Sequence, residues 1–380
     1  MMQCKSQNLT DRQTDRQTYY YHLNGLKGIA CLLVMIGHYL GLYKYAQSFV
    51  PSIRIIDILN NSPFSFLINE GYWLYLFFVV SGYLVSKSKI TSITDVISKS
   101  ISRFLRLALP ILFSYFVIYL IYLVVGFHTD ETNTFFQCQW YQNYYTGVYT
   151  IKDVLLGPIY VLLFGKSLLN GPYWVLRMMF ISSLLIYFLK YIFFKLSTSK
   201  NESLVFSMLI IITIASCIVS TIITACLVGM LVSFYEDGKI KTESCYAFWF
   251  LFVTMSIYVL PGVLKSTLFF AALIVFVPRI KIFENVFSSK PVQFIGKLSW
   301  GIYSFHWPII CSFGALFIIG LTPRIGLIHS YFVSFVFVLI LTFVFSICFY
   351  FTLERFSSLL TKKANGCLLQ LMNGFSKTNN

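Results

Sequence analysis

The stretch YHLNGLKGIACLLVMIGHYLG, residues 21–41, restricts the fold more than any other part of this chain. It is mostly apolar and about long enough to cross a bilayer, yet it carries a cation, Lys27, and an imidazole, His38. At about 100° per residue the two return to nearly one helix face, roughly 16 Å apart along the axis. A Lys near the membrane edge can snorkel to the headgroups. A His well inside a span is costlier. It either hydrogen-bonds a neighbouring helix for packing or faces the bundle interior and marks a site or a pathway.

Only 11% of the 380 residues are charged and 57% are hydrophobic, against about a quarter charged in soluble domains. The expected fold class is therefore all-α: a polytopic integral membrane protein with about ten transmembrane helices. A net charge of +15 would suggest nucleic acid in a soluble protein. Here the cations sit mostly in short loops, where they set topology, so no nucleic-acid partner is expected. The nine Cys are scattered without a C-x-x-C, which points to neither a metal site nor a disulfide framework. The polar first twenty residues lack the pattern of a removable signal peptide.

Ten spans are expected, near 23–43, 72–86, 104–126, 154–165, 173–194, 204–234, 244–260, 262–279, 294–320 and 328–351. The fourth is short and contains Gly157-Pro158, so it reads as broken, tilted or re-entrant. With the N-terminus cytoplasmic, 19 Lys and Arg fall on the inner side and 8 on the outer. That asymmetry favours both termini inside. The division is a cytoplasmic tail over 1–22, a membrane domain over 23–351 and a cytoplasmic tail over 352–380.

Three further stretches carry polar groups in apolar surroundings. The basic loop 87–106 ends in RFLRLALP, with Arg103 and Arg106 at neighbouring positions of a helix start. Topology and headgroup contact explain it, as does a clamp for phosphates. The loop Phe127–Thr150 holds Trp140, Tyr141, Tyr144, Tyr145 and Tyr149, which suits an interfacial belt or stacking on a sugar ring. In FIGKLSWGIYSFHWPII, Ser299, Tyr303 and His306 share a helical face. His306 lies about as deep as His38, and Pro308 should free a backbone carbonyl one turn back.

Together these pieces resemble the acyltransferase 3 family of integral-membrane acyltransferases. LNGLKGIACLLVMIGHY keeps that family's first-helix spacing of cation to His, in Lys27 and His38. FFVVSGYLV at Phe77–Val85 resembles its second helix, RFLRLALP its Arg-x-x-Arg motif, and PYWVLR its Trp-centred fifth helix. IGKLSWGIYSFHWPI is similar to its late His-x-Pro segment, and TLERFSSLL, with Glu354, to its closing segment. The chain departs from the pattern at Asn24, where the family often has Asp, and at Met178 and Met179, where it often has Glu. Pro is also missing after Glu354.

The resemblance implies an O-acetyltransferase-like enzyme of the bacterial inner (plasma) membrane without an appended esterase domain. Its donor would be acyl-CoA, by default acetyl-CoA, with no metal. Its acceptor would be a hydroxyl of a cell-surface or lipid-linked saccharide, as in exopolysaccharide or lipopolysaccharide modification. Acyl transfer needs a base and oxyanion stabilisation. His38 is the expected base, with Lys27, Arg103 and Arg106 holding the phosphates of CoA. His306 or Tyr303 would stabilise the oxyanion or orient the acceptor. A carboxylate moved away from position 179 is expected at Glu70, with Asp57 the other nearby acid. Two rivals are a transporter or flippase using His38 and His306 as a proton relay, and an inactive relative.

Overall fold

Apolar runs cut by Gly, Pro and short basic segments can cross lipid only as helices, which satisfy their own backbone. The computed structural model of the chain describes residues 2–47, 53–196, 202–234 and 262–378. Among them every regular element is a helix. The longer ones are α1 (Met2–Lys44), α2 (Glu70–Ser86), α3 (Ile93–Val124), α4 (Ile151–Ile159), α5 (Trp174–Leu196), α6 (Glu202–Val219), α7 (Thr221–Phe234), α8 (Gly262–Phe276), α9 (Lys290–Ile309), α10 (Ala315–Ile325), α11 (Leu327–Phe349) and α12 (Arg355–Thr378). Among the described residues five helical stretches are long and apolar enough to cross a membrane, or six if Leu264–Arg279 and Lys281–Phe287, bent by 97°, count as one. The chain is an integral membrane protein. The expected span 244–260 lies outside the described residues.

The bundle is built on α1 and α9. At Gly28 an added Cβ would lie 2.5 Å from the Gly296 nitrogen, and at Gly296 it would lie 2.4 Å from the Asn24 carbonyl oxygen. Only glycine lets the two backbones meet there. The contact continues at constant register, with Asn24 donating to Gln293 and the Cys31 thiol donating to the Ser299 carbonyl. Asn24 suits this seam better than the family's Asp, because its amide can donate to Gln293 without first binding a proton.

Other helices take their direction from contacts with this pair. Helix α2 starts with Glu70 beside Lys44 and runs toward the Lys27 end. Helix α3 runs back, with Arg103 beside Ser81 of α2 and Ser114 beside Tyr173. Helix α4 then dips into the bundle. Tyr149 packs on Tyr122 near the far end of α3, Gly157 lies against Tyr115, and Gly165 against Arg177. The chain comes back so that the Leu169 carbonyl accepts from the Tyr145 hydroxyl of the loop it left. Residues 154–165 are therefore re-entrant, not a crossing. Pro158 and a π-helical turn over Tyr160–Phe164 end the segment early, at about two-thirds of the length that ~30 Å of hydrocarbon requires.

The segment read as one span at 204–234 is two helices. Ser216 and Thr224 share a hydrogen bond of 2.8 Å, although eight residues of straight helix would hold them about 12 Å apart. The chain folds back at Ser220, and α7 returns along α2, where Gly229 admits the Val79 carbonyl and Gly82 the backbone of Cys226. Lys190 reaches the Lys27 end, donating to the carbonyls of Ser86 and Ser88.

The α1–α9 contact makes a testable demand. Gly28→Val should lower thermal stability in detergent by about 1–3 kcal/mol, the range for overpacking. Gly320→Val, at a glycine with open space around it, should change it by less than about 0.5 kcal/mol. Equal midpoints for the two variants would contradict the contact.

Candidate active site

Gly28 and Gly296 fix more than a crossing point. His38 lies ten residues beyond the first and His306 ten residues beyond the second, on helices that run the same way. Equal offsets in parallel helices put the two imidazoles at one height. His38 Nδ1 and His306 Nε2 are 2.8 Å apart, in rings only 3° from parallel.

The second nitrogen of His306 fixes the roles. His306 Nδ1 lies 2.9 Å from the Ile302 carbonyl, which can only accept, so Nδ1 carries the proton. With both rings neutral, His306 Nε2 is then an acceptor and His38 Nδ1–H donates to it. The lone pair of His38 falls on Nε2, which has no hydrogen bond among the described residues. His306 is fully buried and His38 only half-buried. His38 is thus the imidazole a reactant can reach, and His306 holds its tautomer.

Below the pair, toward Lys27, lies a cavity of about 600 Å³. Lys27, Arg103, Arg106, Lys297 and Lys362 line it against one carboxylate, Glu354. The Arg103 guanidinium donates to the hydroxyls of Ser81 (2.8 Å) and Ser183 (3.1 Å) and meets no carboxylate among the described residues. A half-buried guanidinium held by neutral hydroxyls keeps its charge available for an anion. Ser81, in the FFVVSGYLV segment of α2, thus positions Arg103.

Tyr303 and Cys31 close the cavity on the His side. Tyr303 donates to the Pro172 carbonyl, and its ring centroid is 6.1 Å from that of His306. The PYW segment is pinned here. Pro308 has no N–H, so the Ser304 carbonyl loses its helical partner, and Asn170 donates to it at 2.7 Å. Tyr173 donates to the Ser304 hydroxyl, also at 2.7 Å. The carbonyl expected from Pro308 is thus the anchor for the loop between α4 and α5.

Of the residues singled out from sequence, Lys27, Arg103 and Arg106 meet in the cavity, and His38 meets His306. Of the helical face Ser299–Tyr303–His306, the first two line the cavity. Glu70 lies against Gly37, the residue before His38, with its carboxylate 3.8 Å from Lys44 Nζ and accepting from the Tyr45 hydroxyl at 3.1 Å, while Asp57 accepts from Tyr43. The carboxylate that shares a cavity with Met179 is Glu354. Sequence spacing could not find it, because 175 residues separate the two. Above the His pair, Trp140 and Trp307 lie against His38, with ring centroids 5.7 Å and 5.5 Å away. Among the described residues no group of His, Cys, Asp or Glu could hold a metal ion.

The tautomer assignment can be checked by nitrogen-15 NMR of histidine-labelled protein. His38 should show a protonated Nδ1 and a bare Nε2, and His306→Leu should mix the two tautomers. A protonated Nε2 on His38 in the parent would contradict the assignment.

A family model described as an acyltransferase domain, acyltransferase 3, matches residues 20–351. No curated protein and no solved structure matches the chain.

Proposed function

We propose, for a membrane acyltransferase that belongs to the acyltransferase 3 family, that it moves an acyl group, by default acetyl, from acyl-CoA to a saccharide hydroxyl. The observation that carries this reading is the bare Nε2 of His38. The His38 ring stands beyond the Tyr303 end of the cationic cavity, with Trp140 and Trp307 against it.

The proposed chemistry follows from that arrangement. The phosphates of acyl-CoA bind Lys27, Arg103 and Arg106 in the cavity, whose cations outnumber its carboxylate. The extended arm then passes Tyr303 toward His38. An acceptor hydroxyl gives its proton to His38 Nε2 as its oxygen attacks the thioester carbonyl. The imidazolium formed is stabilised through Nδ1–H by His306, which occupies the place a carboxylate fills in a Ser-His-Asp triad. When the tetrahedral oxyanion collapses, the carbon–sulfur bond breaks. The departing thiolate takes the proton from His38, which regenerates the base.

A cytoplasmic Lys27 end, where CoA is available, agrees with the excess of Lys and Arg in the loops on that side. The acceptor is a cell-surface or lipid-linked saccharide reaching the Lys44 end. Glu354 offsets part of the charge of Lys27, so the site keeps a carboxylate although residue 179 is Met.

Thiol release from acetyl-CoA by purified protein with a saccharide acceptor tests this directly. His38→Ala should fold and lose transfer by 10²-fold or more. Arg103→Lys should raise the KM for acetyl-CoA by more than loss of one hydrogen bond, since Lys cannot reach both Ser81 and Ser183. Arg103→Ala with Arg106→Ala should raise it further without changing acceptor preference. Saccharide movement across vesicles with no thiol release would favour the transporter. Wild-type turnover in His38→Ala would overturn the mechanism.

A further inference from the structure

Trp140 occupies an unusual place for an aromatic residue in a membrane-edge loop. A belt tryptophan turns its ring to the lipid headgroups. The Trp140 ring instead lies over His38, inclined by 23° with centroids 5.7 Å apart. It packs on Trp307 at 4.8 Å and meets Tyr144 and Tyr45 edge-on near 6 Å. Gly41, three residues beyond His38, makes room: a Cβ there would stand 3.3 Å from the indole. Despite these contacts Trp140 stays partly exposed.

A second observation points to a ligand with hydroxyls. Trp307 is fully buried, yet its indole N–H has no acceptor among the described residues. A buried donor without an acceptor costs about 1–3 kcal/mol. Trp307 touches both Trp140 and His38, so the orphaned donor belongs to the same ring cluster as the bare Nε2. None of the four neighbouring rings carries a formal charge, so the ligand they suit is uncharged at this point.

We infer that Trp140 is the platform of an acceptor subsite, which stacks the C–H face of a sugar ring and presents one of its hydroxyls to His38 Nε2, with Trp307 N–H donating to an oxygen of the same ring. The inference rests on the acyltransferase reading, whose acceptor it locates. Trp140 is a specificity-determining residue here. It does not exchange protons and does not touch the thioester. A flat indole face shared with the base selects for ring-shaped acceptors over open-chain alcohols.

Binding and transfer can be measured separately. Saturation-transfer NMR on the full chain in nanodiscs, with methyl glycosides of glucose, galactose, mannose and N-acetylglucosamine as probes, reads binding without turnover. Saturation should reach the ring hydrogens of at least one glycoside in the parent and in His38→Ala. It should fall at least five-fold in Trp140→Ala and keep more than half its strength in Trp140→Phe. With acetyl-CoA present, Trp140→Ala should raise the KM for that glycoside at least ten-fold and lower transfer to the glycoside at least five-fold more than transfer to glycerol. Thermal midpoints of both variants within a few degrees of the parent exclude misfolding as the cause. Equal saturation in parent and Trp140→Ala, saturation by none of the four glycosides, or equal loss toward glycoside and glycerol would overturn the subsite. Saturation that depends on Trp140 without thiol release in the parent would uphold the subsite and reject acyl transfer.

Discussion

Two glycines, Gly28 and Gly296, bring the backbones of α1 and α9 into contact, and the polar groups of the bundle take their heights from that point. In lipid there is no hydrophobic drive between helices, so close packing of small residues carries the association. Register is then held along the seam from Asn24 and Gln293 through Cys31 and Ser299 to His38 and His306. A slip of one residue would rotate one imidazole by about 100° away from the other and leave His38 Nδ1–H without its acceptor.

The seam also separates two environments. On the Lys27 side, Lys27 and Arg103 are half-buried, Arg103 is held by two hydroxyls, and five cations face a single carboxylate, an arrangement that leaves positive charge to be met by a ligand. On the Lys44 side, uncharged rings surround the same imidazole. Between them Tyr303, held by the Pro172 carbonyl, marks the end of the cavity. The short re-entrant α4 and the loop after it exist to deliver that carbonyl and Asn170 to α9. Non-helical backbone at such depth is tolerable only where it is buried in protein, and here the Ser304 carbonyl freed by Pro308 supplies an acceptor.

Much of this was legible in residue order. Apolar length gave the helices, and the spacing of Lys27 to His38 gave one face. Pro308 announced a free carbonyl, and the family pattern brought Arg103 and Arg106 to the site. Periodicity could not reveal where a helix turns back inside the membrane. Ser220 is an ordinary residue in an unbroken apolar run, so the hairpin of α6 and α7 was invisible. Gly157-Pro158 showed that α4 was irregular without showing that it returns. Partners far apart in sequence were likewise hidden, as with Glu354, which shares the cavity with Met179. The bond between His38 and His306 needed the glycine register, which becomes readable only once the two helices are known to touch there.

The claim that His38 and His306 act as one unit is tested most directly by a double-mutant cycle on the single-turnover rate of acyl transfer. The variants are His38→Ala, His306→Leu and the two together. If His306 works only by holding His38, the double variant will be as slow as His38→Ala alone, a coupling as large as the effect of His306→Leu itself. Multiplicative losses in the double variant would mean that the two imidazoles act independently, which contradicts the account.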